Sequence, residues 1–188
     1  MPMSEAFLTD TLLWWGPAVV CPAAAAAAAW TDLRCHRIYN GMVLPLLLTG
    51  LVCQGLAGGI PALVQAVGGA ALPLLLLPLF LTGMLGAGDI KLLMALGAWL
   101  GVARSGELMV LAVLCGGGMA ALMLAWRRDW RGPLTRVIGH VGACLLSGRL
   151  LPYDKTDSLQ LPFGLAALCG VTLLLLQQAG VLPPLLRF

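Results

Sequence analysis

Residues 61–83 read PALVQAVGGAALPLLLLPLFLTG and contain no charged side chain. A bilayer core about 30 Å thick is crossed by about 20 apolar residues of α-helix, so this stretch is long enough to span it. The rest of the chain continues the pattern, since 60% of its 188 residues are hydrophobic and only 10% are charged. About 25% of residues are charged in soluble proteins. The composition therefore excludes a water-soluble globule and predicts a protein solvated by lipid.

Five further apolar stretches lie on either side of this one. Together the predicted spans are residues 11–31, 40–57, 61–83, 89–102, 107–126 and 162–181. We place the division between the fourth and fifth spans at Arg104-Ser105-Gly106. The predicted fold class is all-α, a polytopic membrane protein with about six transmembrane helices in a single domain over residues 1–188. The alanine run from Ala23 to Ala29 indicates a small-residue packing face.

The basic residues predict the orientation of these spans, because lysines and arginines in short loops stay on the cytoplasmic side. One set of alternate loops holds only Arg104 and Arg187. The other set holds Arg34, Arg37, Lys91, Arg127, Arg128, Arg131, Arg136, Arg149 and Lys155. We therefore expect both termini outside and the loop of residues 127–161 in the cytoplasm.

The same composition excludes several functions. The net charge is only +3, and no basic run is interleaved with aromatic residues, so no nucleic-acid partner is expected. The six cysteines form no Cys-x-x-Cys pair, and His36 and His140 have no partner at metal-ligand spacing. We therefore predict no metal site and no cofactor.

Two acidic residues stand out from the eight in the chain. Asp32 lies at the inner end of the first predicted span and Asp89 at the start of the fourth. Two crossings separate them, so both are expected at the cytoplasmic face. A carboxylate inside a membrane span is costly and is a functional candidate by default. The alternative is that each aspartate only caps a helix, a position that this residue type favours.

The surroundings of Asp89 favour a functional role. In the motif Gly86-Ala87-Gly88-Asp89, the two glycines leave a strip of backbone without side chains next to the acid. Such a strip lets an extended peptide approach the carboxylate closely. Lys91 follows two residues later and either steadies the acids or extends its amine to the membrane interface.

Three stretches, taken in order along the chain, resemble the aspartic prepilin peptidases, which are intramembrane proteases with a Gly-x-Gly-Asp motif. They are Asp32 with Ile38-Tyr39-Asn40 six residues on, Gly86-Ala87-Gly88-Asp89-Ile90-Lys91-Leu92, and Leu161-Pro162-Phe163-Gly164 at the start of the last span. The resemblance covers nearly the whole chain. Tyr39 departs from it, because the family usually has proline at that position.

The resemblance implies an intramembrane aspartic endopeptidase of the bacterial inner membrane, with Asp32 and Asp89 as catalytic residues facing the cytoplasm. The implied substrate is a prepilin or pseudopilin whose short basic leader is cut after a glycine, just before its apolar helix. The larger members carry a Cys-x-x-Cys zinc insert and transfer a methyl group, whereas this sequence resembles the peptidase-only branch that serves Flp-type pili in the Tad systems. The residues assigned to substrate binding are Gly86, Gly88, Lys91, Pro162 and Gly164.

The division of labour between the two acids is a hypothesis from helix ends. If Asp89 opens a helix, the positive end of the helix dipole favours its ionised form, which would serve as the base. Asp32 at a helix carboxyl end would be favoured in its protonated form and would serve as the acid. Two alternatives stay open: a proton or cation relay that uses Asp32 and Asp89 in a six-span bundle, and a non-catalytic assembly subunit. The sequence leaves open which prepilin is cut and the oligomeric state.

Overall fold

The structure is a computed structural model that describes residues 3–35, 38–82, 85–126 and 163–181 and the single positions 135, 139 and 183. Within these ranges every regular element is a helix, so the all-α prediction is confirmed for the described part of the chain. The elements are α1 (Met3–Cys35), α2 (Asn40–Ala71), a 3₁₀ helix (Leu72–Leu76), α3 (Leu77–Leu81), α4 (Ala87–Trp126) and α5 (Phe163–Gln178).

Helix α2 is broken at Gly59, whose φ of 64° and ψ of −155° are not helical. Glycine adopts this left-handed φ without the steric penalty of a side chain, and Pro61 follows two residues later. The break falls between the predicted second and third spans. The second part of α2 continues into the 3₁₀ helix and α3, each of which has a proline in its first two positions.

Helix α4 is broken at Gly101, with φ 75° and ψ 178°. The division expected at residues 104–106 is wrong, because these residues are helical. Ser105 is buried, and its hydroxyl donates a hydrogen bond of 2.7 Å to the carbonyl of Gly69 in α2. The hydroxyl of Ser105, which we expected in a loop, thus has a hydrogen-bond partner on another helix. The helix is instead interrupted at Gly101.

The helices pack through glycine and alanine. A Cβ atom on Gly69 would lie 2.3 Å from the carbonyl oxygen of Gly97, so α2 and α4 touch through their backbones at this point. The indole of Trp99 fills the space above Gly50 and donates to the carbonyl of Leu46 at 2.9 Å. The core joins α1, α4 and α5, and its largest members include Leu92, Leu93, Leu96, Leu108, Val171 and Leu174.

The alanine run in α1 turns only part of its surface inward. Ala25, Ala28 and Ala29 are buried, in agreement with the predicted packing face, whereas Ala23, Ala26 and Ala27 are exposed. Spacing of three and four residues between the buried positions places them on one side of the helix. That side is the one against which α5 packs.

Two helical stretches, Asn40–Leu81 and Ala87–Trp126, are long and apolar enough to cross a membrane. Large apolar side chains are exposed along them, including Leu56 (82% exposed), Ile60 (78%) and Leu75 (69%). A continuous apolar surface of this kind marks contact with lipid or another protein. The six predicted spans all overlap described helices, and their number as membrane crossings stays a prediction. The predicted cytoplasmic loop of residues 127–161 lies outside the described residues, except for positions 135 and 139. Pro162, His36 and Arg37 also lie outside them.

Candidate active site

Asp32 lies in the last turn of α1 and is only 7% exposed. Its Oδ2 accepts a hydrogen bond of 2.8 Å from the backbone N–H of Gly164. Gly164 is the second residue of α5, where backbone N–H groups have no partner within the helix. The carboxyl group of Asp32 therefore occupies the amino end of α5.

Glycine at position 164 permits this approach. A Cβ atom there would lie 3.0 Å from both the carbonyl oxygen of Ala28 and the Cα of Ala29. These are backbone atoms of α1 and cannot rotate out of the way. The absence of a side chain thus lets the start of α5 come close enough for its N–H group to reach Asp32.

Asp89 is the third residue of α4, and its Oδ2 accepts a hydrogen bond of 3.0 Å from the backbone N–H of Gly86. Gly86 directly precedes the helix. The bond is therefore the one of the two capping-box bonds in which the side chain of the third helical residue accepts from the backbone N–H of the residue before the helix. A Cβ atom on Gly86 would lie 2.8 Å from the same oxygen. One on Gly88 would lie 3.0 Å from the Cβ of Ile38, in the segment between α1 and α2. The first glycine makes room for the carboxylate and the second for the chain that follows Asp32.

Asp32 lies near enough to the half-buried carboxyl group of Asp89 for a charge on one to act on the other. Asp89 caps the start of its own helix, as the alternative interpretation expected, whereas Asp32 opens no helix and accepts its hydrogen bond from α5, 132 residues away. The hypothesis that helix ends distinguish Asp89 as base from Asp32 as acid loses its basis. Asp32 is close to the carboxyl end of α1 and also bonded to the amino end of α5, so its helix-end environment is mixed.

The remaining predicted substrate-binding residues divide into two groups. Gly86, Gly88 and Gly164 lie beside the two acids, as described above. Lys91 is exposed, and its Nζ donates a hydrogen bond of 3.1 Å to Oδ1 of Asn40, the first residue of α2. Lys91 therefore ties the start of α4 to the start of α2.

Two contacts were not predicted from the sequence: the bond from Gly164 to Asp32 and the bond from Lys91 to Asn40. The sequence marked the partner residues but not the pairings. Gly164 opens an apolar span, which marks a helix amino end, and Asn40 belongs to the same motif as Asp32. Among the described residues, no group of three histidine, cysteine or acidic side chains is placed to hold a metal ion.

The comparison with known proteins agrees with this geometry. A model of the type IV leader peptidase family matches residues 19–121, a range that contains both aspartates. The chain is 37% identical over 161 residues to a prepilin leader peptidase/N-methyltransferase of Dickeya chrysanthemi, which covers 74% of this chain and 56% of the relative. It is also 37% identical over 120 residues to a protein of the same name from Burkholderia pseudomallei strain 1026b, covering 60% of this chain and 38% of the relative.

The chain thus spans about half the length of the curated relatives that it matches. No solved structure matches it. The family match covers more than half of the sequence and includes the Gly-x-Gly-Asp motif together with the first acid. The chain therefore belongs to the type IV leader peptidase family.

Proposed function

We propose that this protein is an intramembrane aspartic endopeptidase that removes the leader peptide of a type IV prepilin or pseudopilin. The observation that supports the proposal is that Asp32 and Asp89, which come from different helices, lie within electrostatic range of each other. Family membership adds the substrate class, since the curated relatives are each named prepilin leader peptidase/N-methyltransferase. We place the whole of residues 1–188 in one peptidase domain.

The two carboxyl groups supply what peptide hydrolysis needs. One carboxylate takes a proton from water, and the water oxygen attacks the scissile carbonyl carbon while the second, protonated carboxyl group donates to the carbonyl oxygen. The first carboxyl group then passes the proton that it took from water to the leaving nitrogen, the C–N bond breaks, and a hydroxyl of the tetrahedral intermediate returns a proton to the second carboxylate as the new carboxylic acid forms. In each aspartate, Oδ2 is held by a backbone N–H, so Oδ1 is the oxygen that we assign to this chemistry.

The start of the Gly-x-Gly-Asp motif is open enough for a substrate to approach. Gly86 and Ala87 are exposed next to Asp89, and neither carries a bulky side chain. An extended peptide can therefore bring its backbone close to the carboxylate. We assign Gly86 and Gly88 to this approach, with Lys91 at the margin of the site and Pro162 preceding α5.

The orientation follows from the distribution of basic residues. We place the active site at the cytoplasmic face of the bacterial inner membrane, with six crossings, both termini in the periplasm and residues 127–161 in the cytoplasm. A prepilin leader that stays in the cytoplasm would reach the acids from this side. We propose a Flp-type prepilin as the substrate.

The proton-relay alternative has less support from the geometry. A relay across a membrane needs acids at staggered depths. Asp32 and Asp89 instead lie within electrostatic range of each other, and each carboxyl group accepts a hydrogen bond from a backbone N–H at the start of a helix. This pairing favours the peptidase.

The test is co-expression with a candidate Flp-type prepilin, comparing wild type with Asp32→Asn and Asp89→Asn. The amide oxygen of asparagine can accept the same backbone hydrogen bond as the carboxylate, so both variants should keep the fold while losing the proton chemistry. We expect no mature pilin from either variant and normal cleavage by Glu107→Gln, a control in α4 away from the acids. Full cleavage by either asparagine variant would remove that residue from the assignment.

A further inference from the structure

We infer that Gly164 is a positioning residue for catalysis, and that its backbone N–H, presented by the amino end of α5, fixes the orientation of the Asp32 carboxyl group. This inference rests on the proposed peptidase function. It differs from the role that the sequence suggested for Gly164, which was contact with the substrate. The two roles predict different kinetics, so experiment can separate them.

The bond itself has the properties of an orienting contact. It is buried and measures 2.8 Å, within the range of about 2.7–2.9 Å that is typical of hydrogen bonds to a charged partner. The last torsion of an aspartate side chain is broad and roughly two-fold, so packing alone fixes it poorly. A single N–H on Oδ2 selects one orientation and leaves Oδ1 for chemistry.

The helix packing holds the donor in place. At position 164 an added Cβ would meet three backbone atoms of Ala28 and Ala29 at 3.0–3.1 Å, so α5 would have to move away from α1 by a few tenths of an ångström. Further along α5, a Cβ on Gly170 would lie 3.1 Å from the backbone nitrogen of Ala112 in α4. The helix is therefore fitted closely on two sides, and its first turn has little freedom to drift from Asp32.

Gly164→Ala should keep the hydrogen bond but lengthen it and tilt the carboxyl group. With purified enzyme and a synthetic prepilin peptide in detergent, we expect kcat to fall about tenfold while KM changes less than twofold. A fall of this order corresponds to weakening a hydrogen bond to a charged group. Gly170→Ala is the matched control, because it crowds α5 against a backbone to a similar degree but away from Asp32. Its kcat should stay within about threefold of wild type.

Several outcomes would overturn the inference. An increase in KM with kcat unchanged would make Gly164 a substrate contact, and unchanged kinetics would leave it no role in the reaction. If kcat fell as far in Gly170→Ala as in Gly164→Ala, the effect would come from a general displacement of α5 and not from the hydrogen bond to Asp32.

A second measurement does not depend on activity, so it separates this inference from the proposed function if wild type fails to cleave prepilin. Thermal unfolding is compared for wild type, Asp32→Ala, Gly164→Ala and the double variant. The steric conflict with α1 is present whichever residue occupies position 32, so any difference isolates the hydrogen bond. We expect Gly164→Ala to lower Tm less in the Asp32→Ala background than in wild type. Additive shifts would show that the two residues are not coupled and would refute the inference.

Discussion

The backbone contact between α2 and α4 allows a sharp prediction, because two adjacent glycines meet different kinds of atoms. A Cβ on Gly69 would lie 2.3 Å from the carbonyl oxygen of Gly97 and 2.7 Å from the carbonyl carbon of Gly101. A Cβ on Gly68 would meet the Cγ2 of Val102 at 2.6 Å. A backbone cannot rotate aside, whereas a valine methyl group can.

The expected magnitudes follow from this difference. In Gly69→Ala the helices must separate by about 1 Å, a conflict at the upper end of the overpacking range, about 3 kcal/mol. The better helix propensity of alanine returns about 1 kcal/mol, which leaves a net loss of about 2 kcal/mol. In Gly68→Ala a rotated Val102 costs about 1 kcal/mol, and the propensity gain offsets it. For a chain of this length, about 2 kcal/mol lowers Tm by about 4–8 °C.

The assay is thermal unfolding in detergent, followed by the fluorescence of the native tryptophans. Gly69→Ala should unfold about 4–8 °C below wild type, and Gly68→Ala should lie within about 2 °C of it. Equal Tm values for Gly69→Ala and wild type would refute the backbone contact. Equal decreases in Tm for the two variants would show that a contact with backbone is no more costly here than a contact with a side chain, and would also refute the reasoning.

Two further predictions concern the candidate site. Gly86→Ala places a Cβ 2.8 Å from Oδ2 of Asp89, so prepilin cleavage should fall at least tenfold with little change in Tm. The control is Gly106→Ala, whose Cβ meets nothing within 4 Å and which should cleave normally. Equal cleavage by the two variants would contradict the assignment. Lys91→Met removes an exposed hydrogen bond to Asn40, so Tm should change by less than about 3 °C. Asn40→Ala should alter cleavage kinetics to the same extent as Lys91→Met, and a loss of cleavage only in Lys91→Met would give the lysine a role apart from Asn40.

The sequence predicted the helices better than their breaks. Apolar composition alone indicated the helical segments, and the break at Gly59 lies where Gly58-Gly59 and Pro61 interrupt the apolar pattern. The break at Gly101 was missed, because the charged residue Arg104 and the hydroxyl of Ser105 suggested a loop. A hydrogen bond to another helix makes Ser105 compatible with a buried helix, and such a bond leaves no local sequence signal.

The candidate site shows the same limit. Motif spacing identified Asp32 and Asp89 and placed them at the ends of helices, where the structure has them. The partners of Asp32 and Lys91 lie 132 and 51 residues away along the chain. Local patterns cannot specify such pairings, because they depend on how whole helices pack. For the same reason the helix-dipole argument for Asp32 considered only its own helix and not the amino end of α5.

The link between Asp32 and Gly164 also bears on biosynthesis. The ribosome makes α1 before α5, so Asp32 is synthesised long before its hydrogen-bond donor. A nascent chain that ends before α5 has no N–H group to hold this carboxyl group. Under the proposed function, cleavage requires that α5 has been translated, and products that terminate before α5 should be inert even though they contain both aspartates.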